Sequence, residues 1–125
     1  MATWQEIGVD NFRAGRELFD TKRYRSSVSR FYYAAFSVLT HELLQTSFQP
    51  KEEREAPDHL HMAEWIKTYL TKYSLRQRTD IAAAVRRLYE SRLAADYRLR
   101  TVDELTAREA RRDAVLVFTY LEAEL

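Results

Sequence analysis

Apolar residues recur at intervals of three and four along most of the chain, the spacing that lines one face of an α-helix. The first stretch so patterned carries Trp4, Ile7, Phe12 and Leu18, with Thr3 in the N-cap position and Glu6 three residues on, as in a capping box. After a short break over 20–24, a longer helix is predicted from about Arg23 to Thr46, with Tyr24, Val28, Phe31, Ala35, Leu39 and Leu43 on one face. Tyr32 and Phe36 widen that stripe. This helix is therefore expected to be buried around much of its circumference and to stand at the centre of the fold.

The segment 47–58, SFQPKEEREAPD, holds both prolines and a run of charge, and reads as a mobile surface connection. Asp58 is placed to cap a third helix over 59–73, with Leu60, Trp65, Ile66, Tyr69 and Leu70 as its apolar contacts. A fourth helix is expected to begin at Thr79 or Asp80 and to turn Ile81, Val85, Leu88, Tyr89 and Leu93 inward. The segment 98–105 breaks the pattern, and Asp103 or Thr106 caps a last helix carrying Ala110, Ala114, Val117, Phe118 and Leu121. No alternation of period two competes. The expected fold class is all-α, an antiparallel bundle of about five helices forming one domain over 1–125.

Composition narrows the chemistry. Two glycines and two prolines in 125 residues leave no Gly-rich phosphate loop, and the absence of cysteine removes disulfides, thiolate metal sites and a cysteine nucleophile. The chain start lacks the basic and apolar regions of a signal peptide, and no apolar run approaches the roughly 18 residues of a membrane span, so a cytoplasmic protein without membrane contact is expected. A formal net charge of +1 conceals an uneven distribution. Acids outnumber bases from Glu42 to Glu64, whereas from Arg76 to Arg112 the bases are arginines and exceed the acids. Arginine suits bidentate phosphate contact and stacking on bases, although solvated helix faces laced with ion pairs have the same composition. Faces rich in tyrosine exceed what one small core buries, which points to a homodimer.

Three histidines are available for catalysis: His41, His59 and His61. His59 and His61 are two apart and point to different sides of a helix, so no metal site is expected, and no cofactor is implied. A metal-independent ribonuclease needs one basic group for the scissile phosphate and one imidazole for the ribose 2′-OH proton. Arg54 and His59, with four residues between them, match an R-x4-H spacing in form, against a plainer reading as a solvated loop arginine and a helix-start histidine.

Two segments carry a resemblance. TKRYRSSVSRFYYAAFSVLTHELL resembles the second helix of small HEPN (higher eukaryote and prokaryote nucleotide-binding) domain proteins through Tyr24, Val28, Arg30, Tyr32, Tyr33, Ala34 and Phe36. YESRLAADYR is similar to the R-x-x-A-D-Y stretch of one prokaryotic branch of that family, giving Arg92, Ala95, Asp96 and Tyr97. The resemblance spans almost the whole chain. It implies a HEPN-like bundle in which Arg30 and Tyr33 face the motif around Arg92. It also implies a toxin–antitoxin or defence setting, binding of RNA or nucleotide, a homodimer, and a minimal nucleotidyltransferase as partner.

Catalytic HEPN ribonucleases carry R-x4-6-H at the segment matching RLAADY. Here Leu93 follows Arg92, Asp96 and Tyr97 occupy the histidine's place, and no histidine lies beyond His61. Tyrosine, with a pKa near 10, transfers protons poorly at neutral pH. Arg92, Asp96 and Tyr97 read first as a polar knot, an i,i+4 Arg–Asp bridge with a tyrosine tethering the helix end. Three functions follow: a HEPN-family protein binding RNA or nucleotide and a protein partner through Arg30, Tyr33, Arg92, Asp96 and His59; a metal-independent endoribonuclease using Arg92 with Tyr97, His41 or His59; or a bundle that binds only proteins.

Overall fold

Helix α1 runs from Trp4 to Asp20, opened by Thr3, whose hydroxyl accepts from the Glu6 amide at 3.1 Å. It ends in a Schellman turn: Arg23 N–H donates to the Leu18 carbonyl and Lys22 N–H to that of Phe19, with Lys22 left-handed at φ 63°. Helix α2, Tyr24–Leu44, starts directly afterwards. The computed structural model describes residues 2–50, 57–97 and 101–123 of the chain, and the proposed Arg54 lies outside them.

A 3₁₀ turn, His59–His61, precedes a short α3, Met62–Tyr69, and Asp58 caps the turn by accepting from the Leu60 amide at 2.9 Å. The third helix is therefore shorter than the sequence pattern suggests. Leu60, expected inside, is 68% exposed because the tighter 3₁₀ turn rotates it off the apolar face, and Met62, Ile66 and Leu70 make the buried contacts instead.

Helix α4 spans Leu75–Tyr97 and begins four to five residues ahead of the expected Thr79 or Asp80. Ser74 and Gln77 cap it reciprocally, the Gln77 amide donating to the Ser74 hydroxyl at 3.1 Å and the Ser74 amide to the Gln77 side-chain carbonyl at 2.9 Å. Its buried face is Ile81, Ala82, Ala84, Val85, Leu88, Ala94 and Ala95, while Tyr89 and Leu93 are half-buried. Helix α5, Glu104–Tyr120, starts at Asp103, whose carboxylate accepts from the Thr106 amide and hydroxyl.

Contacts between helices fix their directions. Ser27 donates to the Gly15 carbonyl at 2.8 Å while Gly8 lies against Ala34 and Val38, so α1 and α2 run antiparallel. Arg87–Asp113 and Asp80–Tyr120 pair α4 with α5 in the same sense. The architecture is an all-α bundle of five helices around α2, with no strand among the described residues. Phe12 joins three helices through ring centroids 5.4 Å from Phe31 and 5.3 Å from Phe118. Phe48, from the segment expected to be a surface connection, is buried against Trp65 and Tyr69. Among the described residues, no helix is long and apolar enough to cross a membrane.

Candidate functional site

Helices α2 and α4 pack so that residues 25, 29, 32 and 33 of the first meet residues 89, 92, 94, 95 and 96 of the second. The spacing on each is helical, so one polar and aromatic stripe faces another. At the end of α4, Arg25 donates to the Ala95 carbonyl and, at 3.5 Å, to that of Ala94, carbonyls that a helix end leaves without intrahelical partners. Ser29 donates to one carboxylate oxygen of Asp96.

Arg92 occupies the middle of this seam. Its Nη2 donates to the Tyr33 hydroxyl at 2.8 Å and the Tyr97 hydroxyl at 3.3 Å. Its Nε stands 3.0 Å from Oδ2 of Asp96, within ion-pair range, yet this buried N–H is not aimed at any acceptor. The interaction with Asp96 is therefore coulombic more than hydrogen-bonded. The guanidinium carbon lies 5.8, 5.4 and 5.2 Å from the ring centroids of Tyr32, Tyr33 and Tyr97, within cation–π range. Burial opposes the charge on Arg92, but Tyr33, Tyr97, Asp96 and Tyr32 outweigh it and hold the pKa above the ordinary arginine value. The Arg92 side chain is only 14% exposed, and its Nη1 makes no hydrogen bond to a described residue.

A third segment closes on the same seam. His59 stacks on Phe36 at 4.0 Å and 9°, its Nδ1 lies 2.5 Å from the Tyr32 hydroxyl, and its ring centroid is 6.0 Å from that of Tyr33. Tyr32 is fully buried, and desolvation pushes its hydroxyl pKa far above the usual tyrosine value, against the lowering influence of Arg92. At any ordinary pH Tyr32 is thus a neutral hydroxyl. Beside it lies a cavity of about 210 Å³ between the 59–64 segment and α4.

Of the candidate residues, Tyr33, His59, Arg92, Asp96 and Tyr97 converge here, with Tyr97 70% exposed at the rim. Arg30 does not. One residue round the helix from Ser29, it is exposed and donates to Asn11 on α1 at 3.1 Å, away from the seam it was expected to face. His41 lines a different groove, with Thr3 and with Glu6 and Asp10 of α1. Sequence reasoning missed Arg25 and Ser29, although their spacing of four to each other and to Tyr33 is a usable signal; no sequence signal links His59 to Tyr32. A larger groove of about 820 Å³ between α4 and α5 is lined by arginines and acids together, with Arg87 and Asp113 already paired, and is less suited to an anion than the seam around Arg92.

Among the described residues, no three of the His, Asp and Glu side chains are grouped to hold a metal ion. Comparison of the chain with protein-family models, with curated proteins and with solved structures gives no match in any of the three.

Proposed function

We propose that this chain is a HEPN-like module that binds RNA by its phosphates at Arg92 and acts with a protein partner. The observation that carries the reading is the state of Arg92. Its charge is held by three tyrosines and an aspartate, its Nη2 and Nε sides face them, and Nη1 bonds to no described residue. An arginine held in this way loses little further freedom when it meets a phosphate oxygen. The toxin–antitoxin or defence setting and a minimal nucleotidyltransferase partner rest on the sequence resemblance alone, a homodimer on that resemblance and on the tyrosine-rich helix faces, and all stand as proposals.

The test is binding of a fluorescent single-stranded RNA in EDTA, with Arg92→Ala alongside. Binding that weakens as salt rises and falls at least tenfold in Arg92→Ala is expected. Absence of salt-dependent binding would leave a bundle that binds only proteins.

One observation favours a second reading, a metal-independent endoribonuclease. His59 sits in the same cluster as Arg92, bridged by Tyr33, so an imidazole and a guanidinium share one site although no histidine follows Arg92 in sequence. In that reading Arg92 neutralises the scissile phosphate and His59 moves the 2′-OH proton. Cleavage that resists EDTA and disappears in both Arg92→Ala and His59→Ala is its signature; intact RNA after long incubation rules it out.

A further inference from the structure

The cavity beside Tyr32 opens between the 59–64 segment and α4. Its volume of about 210 Å³ is below the roughly 300–1,000 Å³ typical of a site for a drug-sized ligand, and is suited to a single flat ring system. Tyr89 and His59, both half-buried, supply the accessible aromatic walls, over a floor made by the buried Tyr32 and Val85. Such walls are what proteins offer to an unstacked base of single-stranded RNA.

The rim adds a polar signature. Glu64 on α3 and Arg86 on α4 both line the cavity, both are exposed, and neither makes a hydrogen bond or ion pair among the described residues. A carboxylate only accepts hydrogen bonds and a guanidinium only donates them. Guanine matches that pair: its N1–H and N2 amino group donate, while O6 and N7 accept. Adenine and the pyrimidines cannot present two adjacent donors to the carboxylate.

The cavity also adjoins the proposed phosphate contact. Arg92 follows Tyr89 by about 4.5 Å along α4, and its guanidinium carbon is 5.8 Å from the Tyr32 ring that forms one cavity wall. From these placements we infer that the cavity takes an extruded guanine base, read by Glu64 and Arg86, of a nucleotide whose phosphate lies on Arg92. The inference rests on the RNA-binding reading and adds base selectivity to it.

The test is fluorescence anisotropy on the full chain at one fixed low salt, with labelled pentaadenylate, the same oligomer with a central guanosine, and one with a central inosine. The guanosine oligomer should bind at least about fivefold tighter than pentaadenylate, the low end of discrimination from one bidentate contact. Inosine, lacking the N2 amino group, should lose most of that gain. Glu64→Gln and Arg86→Ala should abolish the preference, while Glu90→Gln, which lines the α4–α5 groove on the other side of Arg86 but not this cavity, should keep it. Unlabelled GMP separates the two sources of the same chemistry: displacement of the oligomer at comparable concentration makes a free nucleotide the ligand, and failure to displace it makes the ligand a guanosine within RNA. Salt-dependent binding equal for all three oligomers would overturn the guanine site and leave the RNA reading intact. A preference that survives both rim variants would equally overturn it. No binding by any oligomer removes both.

Discussion

Tyr32 serves three neighbours at once: its hydroxyl meets His59, its ring faces Arg92, and it forms a wall of the cavity. Because burial raises its pKa above the unfolded value near 10, the linkage has a definite sign. The folded chain holds this proton more tightly than the unfolded chain, so the contribution to stability is complete below about pH 10 and is lost as pH rises beyond it. Urea unfolding of the wild-type chain should therefore weaken more steeply above pH 10 than that of Tyr32→Phe, with no such difference in slope at neutral pH. The partners of Arg92 should be unequal in a related way. Tyr33→Phe removes the shorter, half-buried bond and is expected to cost about 1 kcal/mol, whereas Tyr97→Phe, at an exposed rim, should cost less than about 0.5 kcal/mol. Equal effects in denaturant titrations would contradict this ranking. Much of this knot was legible, because Arg92, Asp96 and Tyr97 are neighbours on one helix and i,i+4 geometry holds whatever packs against them. His59 was not, since only tertiary packing sets a histidine against a tyrosine 27 positions away. Arg30 shows the limit of a motif: a rotation of 100° from Ser29 puts it on another helix's side.

Helix ends and helix faces explain where pattern and structure diverge. Periodicity placed α2 and α5 well, because both carry long apolar stripes. It placed α4 late, because its first turn, with Leu75 66% exposed, has little to bury and is held by the Ser74–Gln77 cap. Ser74→Ala should lower stability by about 1 kcal/mol, measured by urea titration; no change would place the functional helix start further along. The two glycines, read as a shortage of turns, are inside α1, where a side chain has no room. A Cβ on Gly8 would stand 2.6 Å from Val38 Cγ1 and 3.0 Å from the Ala34 carbonyl oxygen, and one on Gly15 would stand 2.9 Å from Phe31 Cδ1. Alanine at an ordinary helical position gains up to about 1 kcal/mol over glycine, but overpacking of about 1–3 kcal/mol reverses that here. Gly8→Ala, set against backbone as well as a side chain, is expected to lower the melting temperature. An increase would mean that α1 can lift from α2 without loss.

At the scale of the molecule, α2 is the element every other helix leans on. The aromatic junction of Phe12, Phe31 and Phe118 ties α1 and α5 to it, and Phe118→Ala should cost about 3–5 kcal/mol, a large share of a small domain's total stability. The all-α class and the antiparallel order follow from short connections and amphipathic stripes, which is why they could be read from sequence; the seam depends on which faces of α2 and α4 meet, which could not. That seam also carries a schedule. The α1–α2 and α4–α5 pairs join neighbours in the chain, while the Tyr33–Arg92 contact spans 59 residues and must close a long loop. Hairpins form early and long loops late, so refolding should restore helical circular dichroism before it restores the proposed RNA binding; simultaneous recovery in stopped-flow measurements would argue against this order. The same delay holds as a chain is being synthesised: the tyrosines of α2 are made 59 residues ahead of Arg92, and until α4 follows, that aromatic stripe has no cation to close on.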